Sequence, residues 1–430
     1  MMTSRAYALE TSASAASGRL PAPACRLCGA GLDTTFVDLG KSPLCESFLS
    51  AGQLDQTEPF YPLHVRICGQ CLLAQLEAYV PASEIFADYA YFSAYSDSWV
   101  AHARSYTDMI SERLGLSEAS LVVELASNDG YLLQHFVGRG IPCLGIDPAA
   151  NVVEAAASRG VETIVDFFDV RLARQLVAEG RRADLVVANN VLAQVPELND
   201  FVAAIELVLA PHGVVTIEVP HIVRLVEELQ FDTIYHEHYS YFSLTTLVRL
   251  FRDHGLELFD VDELRSHGGS LRVYGRRITD DRYPVETAVG NLLARERDGG
   301  YDTLEGYLDF SRRVAETKWR LLELLIALRR DGKRVVGYGA PGKGNTLLNY
   351  CGIRTDLLEY TVDRNPHKQG KFLPGTHIPI YAPEIIDATR PDHILILPWN
   401  LEREIAAQLE YVREWGARLI VPIPEPRMLP

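Results

Sequence analysis

From residue 120 onward the chain alternates short apolar runs with stretches of helical periodicity, and this alternation restricts the fold more than any other feature. Seven runs occur, at 121–126, 143–147, 161–165, 184–188, 214–219, 256–261 and 270–274. Gly, Pro or Asp marks most of their boundaries. Strands alternating with helices predict a mostly parallel sheet covered on both faces. The last two runs are joined by a short link, which predicts an antiparallel final strand. A second, smaller α/β unit is predicted from 334 to 424, with strands at 334–338, 359–362, 393–397 and 418–422. A charged helical stretch, 291–330, joins the two, with Leu321, Leu322, Leu325 and Leu328 on one side. Before the first run, residues 89–114 are amphipathic, with Trp99, Val100, Ala103, Tyr106 and Ile110 near helical spacing.

The N-terminal part is of another kind. Residues 24–80 show little helical periodicity and hold five of the seven cysteines. Cys25-Arg-Leu-Cys28 and Cys68-Gly-Gln-Cys71 are two Cys-x-x-Cys knuckles with 39 residues between them. Zinc prefers four thiolates in a tetrahedron, and two knuckles deliver them in pairs. A region this small gains folding stability from a metal. Gly29 and Gly69 are expected to supply the tight turns. Four thiolates leave no open position, so the predicted Zn²⁺ is structural. The plainer reading is four unrelated buried cysteines. Cys45, Cys143 and Cys351 follow no spacing pattern and read as core or surface thiols. Seven is an odd number in a long chain, which argues against a disulfide framework and for a reducing cytoplasm.

Charge narrows the partners. Lys plus Arg is 41 and Asp plus Glu is 57, a net charge of −16. A nucleic-acid binder needs a basic face for the phosphates, so nucleic acid is not an expected partner. There is no run of 18 apolar residues, so no membrane span is expected either. The Ala- and Ser-rich start lacks the basic and apolar regions of a secretory signal. The expected organisation is a disordered tail (1–22), a zinc-binding domain (23–80), a nucleotide-cofactor α/β domain (81–300) and a C-terminal α/β domain (301–430), acting as a monomer.

The first run of the sheet leads into Glu124-Leu-Ala-Ser-Asn-Asp-Gly130-Tyr131, a polar loop before a helix, and Asp147 closes the second run. An acid at the end of the second strand is placed to accept both hydroxyls of a ribose. A dinucleotide normally brings G-x-G-x-x-G, whereas this loop has one glycine beside Asn128 and Asp129. Acidic side chains repel a pyrophosphate and suit the ammonium and sulfonium of S-adenosylmethionine. Seven strands with such a loop resemble the class I methyltransferase fold. A nicotinamide dehydrogenase and a non-catalytic α/β domain are the alternatives. The expected cofactor contacts are Glu124, Ala126, Asn128, Gly130, Tyr131, Asp147 and Asn189.

Further on comes Tyr235-His-Glu-His-Tyr-Ser-Tyr-Phe242, unlike any core pattern. Titratable groups stacked beside a cofactor cleft suit proton abstraction. A polar surface loop is the plainer reading, and a metal at His236 and His238 lacks further ligands. With the two knuckles, the Glu124 loop, His267-Gly-Gly-Ser-Leu-Arg272 and Gly342-Lys-Gly-Asn-Thr-Leu-Leu-Asn-Tyr350 in this order, the chain resembles the nucleotide-sugar C-methyltransferases, typified by the dTDP-sugar C-3′-methyltransferases of branched deoxysugar and antibiotic biosynthesis. The resemblance spans nearly everything after the tail. It implies methyl transfer from S-adenosylmethionine to carbon 3 of a dTDP-4-keto-deoxysugar. It also implies active-site roles for Tyr235, Glu237 and His238: His238 as base or base partner, Glu237 as its orienter, and Tyr235 at the ketone oxygen. The stretch with Tyr89, Tyr91 and Ser93 resembles the family's sugar-nucleotide contact region, and His236 is expected among the substrate contacts.

One position departs from the family. Gln194 stands where a histidine is usual, and glutamine exchanges no proton at neutral pH, though it still hydrogen-bonds a hydroxyl or ketone. Carbon 5 therefore stays open as the methylated position. The glycine loop at 337–345 begins like a P-loop, but Gly344 follows Lys343 where Ser or Thr would hold magnesium. Its helix start with Lys343 and Asn345 is expected to bind the substrate pyrophosphate, or else to be structural. A zinc-containing scaffold with a dead methyltransferase fold is the rival from another class.

Overall fold

All seven apolar runs form strands of one sheet in the computed structural model, which describes residues 23–86 and 92–429. In chain order they are β1 (Val122–Leu125), β2 (Cys143–Asp147), β3 (Thr163–Val165), β4 (Ala183–Asn189), β5 (Leu209–Pro220), β6 (Leu256–Leu264) and β7 (Ser270–Arg277). Their spatial order is 3-2-1-4-5-7-6. Strands β1 to β5 run parallel, and β7 inserts antiparallel between β5 and β6. Every residue of β1 is buried, as expected of a strand covered on both faces. One of them is a glutamate, Glu124. The expected tail and the pair Tyr89 and Tyr91 lie outside the described residues.

A helix, Asp97–Leu114, covers one face of this sheet. It starts because the Ser96 hydroxyl accepts the Trp99 amide, and it stops at Gly115, whose φ of +64° suits glycine. Ala103, Tyr106 and Ile110 form its buried stripe.

The knuckle region builds a four-stranded antiparallel sheet from Thr34–Ser42, Tyr61–Ile67, Ala74–Leu76 and Ser240–Tyr241. Its last strand belongs to the Tyr-His-Glu-His segment. The C-terminal sheet has six strands, ordered Ile380–Tyr381, Thr361–Val362, Val335–Tyr338, His393–Ile396, Arg418–Val421 and Arg427–Met428. The two outermost, two residues each, were too short to show any period.

Packing crosses the expected boundaries at 80/81 and 300/301. One core joins the small sheet, residues 222–234, the helix Phe310–Arg330 and the C-terminal sheet. A second joins Cys25, Cys68, Cys71 and Leu73 to the central sheet. Among the described residues no helix is long and apolar enough to cross a membrane.

Candidate active site and metal centre

The four knuckle cysteines converge. Their Sγ atoms all lie within 4.8 Å of one another, with Cys25–Cys71 and Cys28–Cys68 each at 3.5 Å. Four thiolates at about 2.3 Å from one zinc would stand roughly 3.8 Å apart, so the donor set fits that ion. The Gln75 side-chain amide donates to Cys25 Sγ (3.1 Å) and the Gln70 amide faces Cys68 Sγ (3.4 Å), the outer hydrogen bonds a thiolate cluster needs. The two turns are alike: Gly29 N bonds Cys25 O and Leu72 N bonds Cys68 O. Sequence reasoning erred on one detail. The left-handed residue of the second knuckle is Leu72 (φ +61°), not Gly69, because the position equivalent to Gly29 follows the second cysteine.

At the C-terminal end of β1 the chain turns through three left-handed residues, Ala126 (φ +55°), Asn128 (+49°) and Gly130 (+75°). Only glycine suits the last, since a Cβ there would meet Val161 Cγ2 at 3.0 Å. Asp147 pins the loop: its two oxygens accept the amides of Asn128 and Ala149, both at 2.9 Å. Burial pushes the Asp147 carboxyl up against the pull of those amides. Glu124 is pushed much further, by burial and by the nearby Asp147 and Asp129. Glu124 Oε2, Asp129 Oδ1 and both amide atoms of Asn189 are buried without a hydrogen-bond partner. Buried polar atoms rarely stay unpaired. A ligand with a cationic amino-acid end and ribose hydroxyls satisfies this acceptor-rich set, so S-adenosylmethionine fits. Ser93 and Ala94 donate their amides to Asn128 Oδ1 (3.0 Å) and Asp129 Oδ2 (3.1 Å), which places Ser93 on the cofactor loop.

The Tyr-His-Glu-His segment is held from two sides. Tyr239 N bonds Ala193 O (2.7 Å), beside Gln194, and Leu76 N bonds Tyr239 O (3.0 Å) on the small sheet. The His238 ring lies 4.2 Å from the Tyr235 ring, and its Nδ1 donates to the Thr233 carbonyl (3.0 Å). Glu237 is buried and accepts the Cys45 thiol at 3.6 Å. Burial and the Glu237 charge hold that thiol well above its ordinary range. His236 points elsewhere: its Nε2 meets the Pro62 carbonyl (3.2 Å) and its ring stands edge-on to Tyr61.

The C-terminal glycine loop repeats the cofactor-loop geometry. Asp363, after the strand Thr361–Val362, accepts the amides of Ala340 (2.7 Å) and Asn365 (2.8 Å), as Asp147 does. Its helix start, Gly342, already receives the Glu46 carboxylate, which also pairs with Lys368 at 3.3 Å. A pyrophosphate there would have to displace an ion-paired carboxylate. Lys343 donates to Asn400 Oδ1 (2.9 Å) above the Trp399 ring, whose Nε1 donates to Asp232 (2.7 Å). Burial lifts Asp232 to about 7 and lowers Lys343. Asn345 donates to the Cys45 carbonyl (2.5 Å).

Sequence reasoning missed Cys45, 192 residues from its partner Glu237. It also missed a cluster in the cleft. His102 Nε2 lies 3.0 Å from both Glu218 oxygens, and Arg272 Nε donates to Glu218 at 2.9 Å. A histidine on an amphipathic helix carries no spacing signal that could have revealed this.

The strand order, the acidic loop and the second-strand aspartate define a class I S-adenosylmethionine-dependent methyltransferase. Comparison with known proteins narrows the class. Residues 25–86 match a zinc-binding domain model, 99–261 a methyltransferase domain and 265–424 the C-methyltransferase C-terminal domain. The C-methyltransferase NovU of Streptomyces niveus is 37% identical over 409 residues, 95% of this chain and 97% of that protein. The chain belongs to this family of C-methyltransferases. It is an S-adenosylmethionine-dependent enzyme with a zinc-binding N-terminal domain. Similar solved structures include Synechocystis PCC 6803 magnesium protoporphyrin IX methyltransferase with bound S-adenosylmethionine (15% identity, 42% of this chain and 82% of that one, TM-score 0.33). Another is Burkholderia thailandensis 1,6-didemethyltoxoflavin-N1-methyltransferase (17%, 49% and 97%, TM-score 0.34). Likeness of that degree adds no weight; the assignment rests on the strand order and the family match.

Proposed function

We propose that this C-methyltransferase acts on carbon 3 of a dTDP-4-keto-deoxysugar through an enolate, in the making of a branched deoxysugar. The observation that carries this reading is the His238–Tyr235 pair. With Nδ1–H donated to the Thr233 carbonyl, a neutral His238 ring has its lone pair on Nε2. A carbon beside a ketone can yield its proton to a base so placed. The C–H electron pair then moves into the enolate, whose oxygen takes a hydrogen bond from the Tyr235 hydroxyl. Glu237 orients His238 and balances its charge once protonated. S-adenosylmethionine, when bound, would supply an electrophilic sulfonium methyl to the enolate carbon and depart as the neutral thioether. Glu124 and the 126–131 loop would hold its amino-acid end, and Asp147 its ribose. Tyr89, Tyr91 and Gln194 are the substrate side of the proposal.

Gln194 favours a second reading, methylation at carbon 5. Both carbons flank the same ketone, so one base and one enolate oxygen site serve either, and the sugar's orientation decides. Incubation with S-adenosylmethionine and a panel of dTDP-4-keto-deoxysugars, read by mass and then by NMR of the product, tests both. His238→Asn and Tyr235→Phe should cut turnover by roughly 10²–10⁴ while sparing cofactor affinity. Failure to methylate any 4-keto sugar, or full-rate solvent-deuterium exchange at the substrate carbon in His238→Asn, would refute the reading.

A further inference from the structure

The amino-acid end of S-adenosylmethionine is a zwitterion, and the site described so far satisfies only half of it. Glu124, Asp129 and Asn189 offer acceptors to the ammonium. A carboxylate buried beside three acidic residues needs a cationic or donor partner of its own.

The sheet register says where to look. Glu124 pairs with Val187, two residues before Asn189, and Asn189 pairs with Glu218 on β5. Side chains two apart share a face, so Glu124, Asn189 and Glu218 line one face at the C-terminal ends of three adjacent strands. The helix Asp97–Leu114 covers that face and brings His102 onto Glu218. The His102 ring stacks on Trp99 (4.8 Å, 14° between planes), and Trp99 reaches Tyr131 of the cofactor loop (6.1 Å). An aromatic ladder thus runs from the loop to His102. Glu218 is fully buried, and the side chain of His102 is 26% exposed. Arg272 is nearly buried and already pairs with Glu218 and Asp262. Arg159, across the loop, donates to the carbonyls of Asp129 and Ala155. With Nε2 anchored on Glu218, Nδ1 is the ring nitrogen of His102 left to meet a ligand.

We infer that His102, oriented by Glu218, binds the carboxylate of S-adenosylmethionine. Arg272 is shared between Glu218 and Asp262, so its charge is already matched, and the partly exposed His102 ring is the nitrogen group of this cluster with an edge left for a ligand carboxylate.

Calorimetry with two ligands tests the assignment: S-adenosylmethionine, and its decarboxylated analogue, which lacks only the carboxylate. The wild type should prefer S-adenosylmethionine. His102→Gln should weaken S-adenosylmethionine by about 10- to 100-fold, the scale of a hydrogen bond to a charged group, and leave the analogue unchanged. Glu218→Gln, which keeps the shape but removes the anion that holds His102, should lose the same discrimination. Equal weakening of both ligands would mean a structural role and overturn the inference. So would a wild type that does not distinguish them, or a His102→Gln protein that still does. None of these outcomes depends on the sugar substrate, so the inference stands or falls apart from the proposed reaction.

Discussion

A single glutamate shows how much the cofactor is written into the apoprotein. Glu124 is buried in a strand, faces Asp147 and Asp129, and holds its proton far above the ordinary carboxylate range. Folded protein without ligand therefore binds more protons than unfolded chain above the ordinary glutamate pKa of about 4.3. Its stability falls as pH rises from there towards the raised value. A cofactor ammonium beside Glu124 reverses the preference, so the complex binds fewer protons than the free protein. Affinity for S-adenosylmethionine should rise with pH across that window, and binding should release a proton. Calorimetry in two buffers of different ionisation enthalpy measures the release. Glu124→Gln should abolish it and bind more weakly. Undiminished release from the Gln variant would place the titrating group elsewhere. The residue's identity was legible in the sequence, since an acid inside an apolar run stands out. Its three-way crowding with Asp147 and Asp129 was not, because the fold alone brings them together.

At the level of elements, the strands of the central sheet were readable because buried parallel strands are short continuous apolar runs. The knuckles were readable because their spacing is itself the metal geometry. What could not be read was that Ser240–Tyr241, ahead of a helix of the central domain, completes the small sheet against Ala74–Leu76. A two-residue strand has no period. This pairing changes what the metal does. Three residues separate Cys71 from Gln75, which pairs with Ser240 and whose side chain also bonds Cys25. The metal region and the Tyr-His-Glu-His segment are parts of one sheet. The structure ties the two together, since the Tyr235–His238 segment continues directly into that strand. Cys68→Ser should therefore lose the metal and cut turnover at least 10-fold while S-adenosylmethionine affinity, which the proposal gives to the loop after β1, changes little. Elemental analysis and cofactor calorimetry on the same preparation check it. A zinc-free variant with normal turnover would show that the small sheet does not align the segment.

The whole molecule converges on Glu237. Cys45 comes from the N-terminal region, Glu237 from the central one, and Gly342 and Asn345 from the C-terminal helix Gly342–Cys351. Asn345 holds the Cys45 carbonyl, and the Gly342 Cα leaves so little room that a Cβ would meet Cys45 Sγ at 3.0 Å and Glu46 Oε1 at 3.4 Å. The glycine in a loop that reads like a phosphate cradle is thus needed for a contact between protein parts. Its sequence pattern invited the other interpretation because a close backbone approach to a phosphate and one to a thiol both call for glycine. Gly342→Ala separates the two demands. Gly342 is the first residue of its helix, outside the interior where alanine is favoured over glycine by about 1 kcal/mol, so the exchange leaves the helix itself little changed. The methyl group must nonetheless push Cys45 by a few tenths of an ångström, and with it the thiol that Glu237 accepts. A displacement of that size at the carboxylate proposed to orient His238 should lower kcat by about 10-fold, given that a full 1 Å misplacement can cost 10²-fold. Thermal stability should hold, and S-adenosylmethionine affinity should not change, since the cofactor loop lies on another element. Wild-type kcat in Gly342→Ala would show that the three-part contact at Glu237 is packing alone. A fall in kcat that Cys45→Ala in the same chain partly restores would locate the cause at that thiol, because the smaller side chain gives the new methyl group its room.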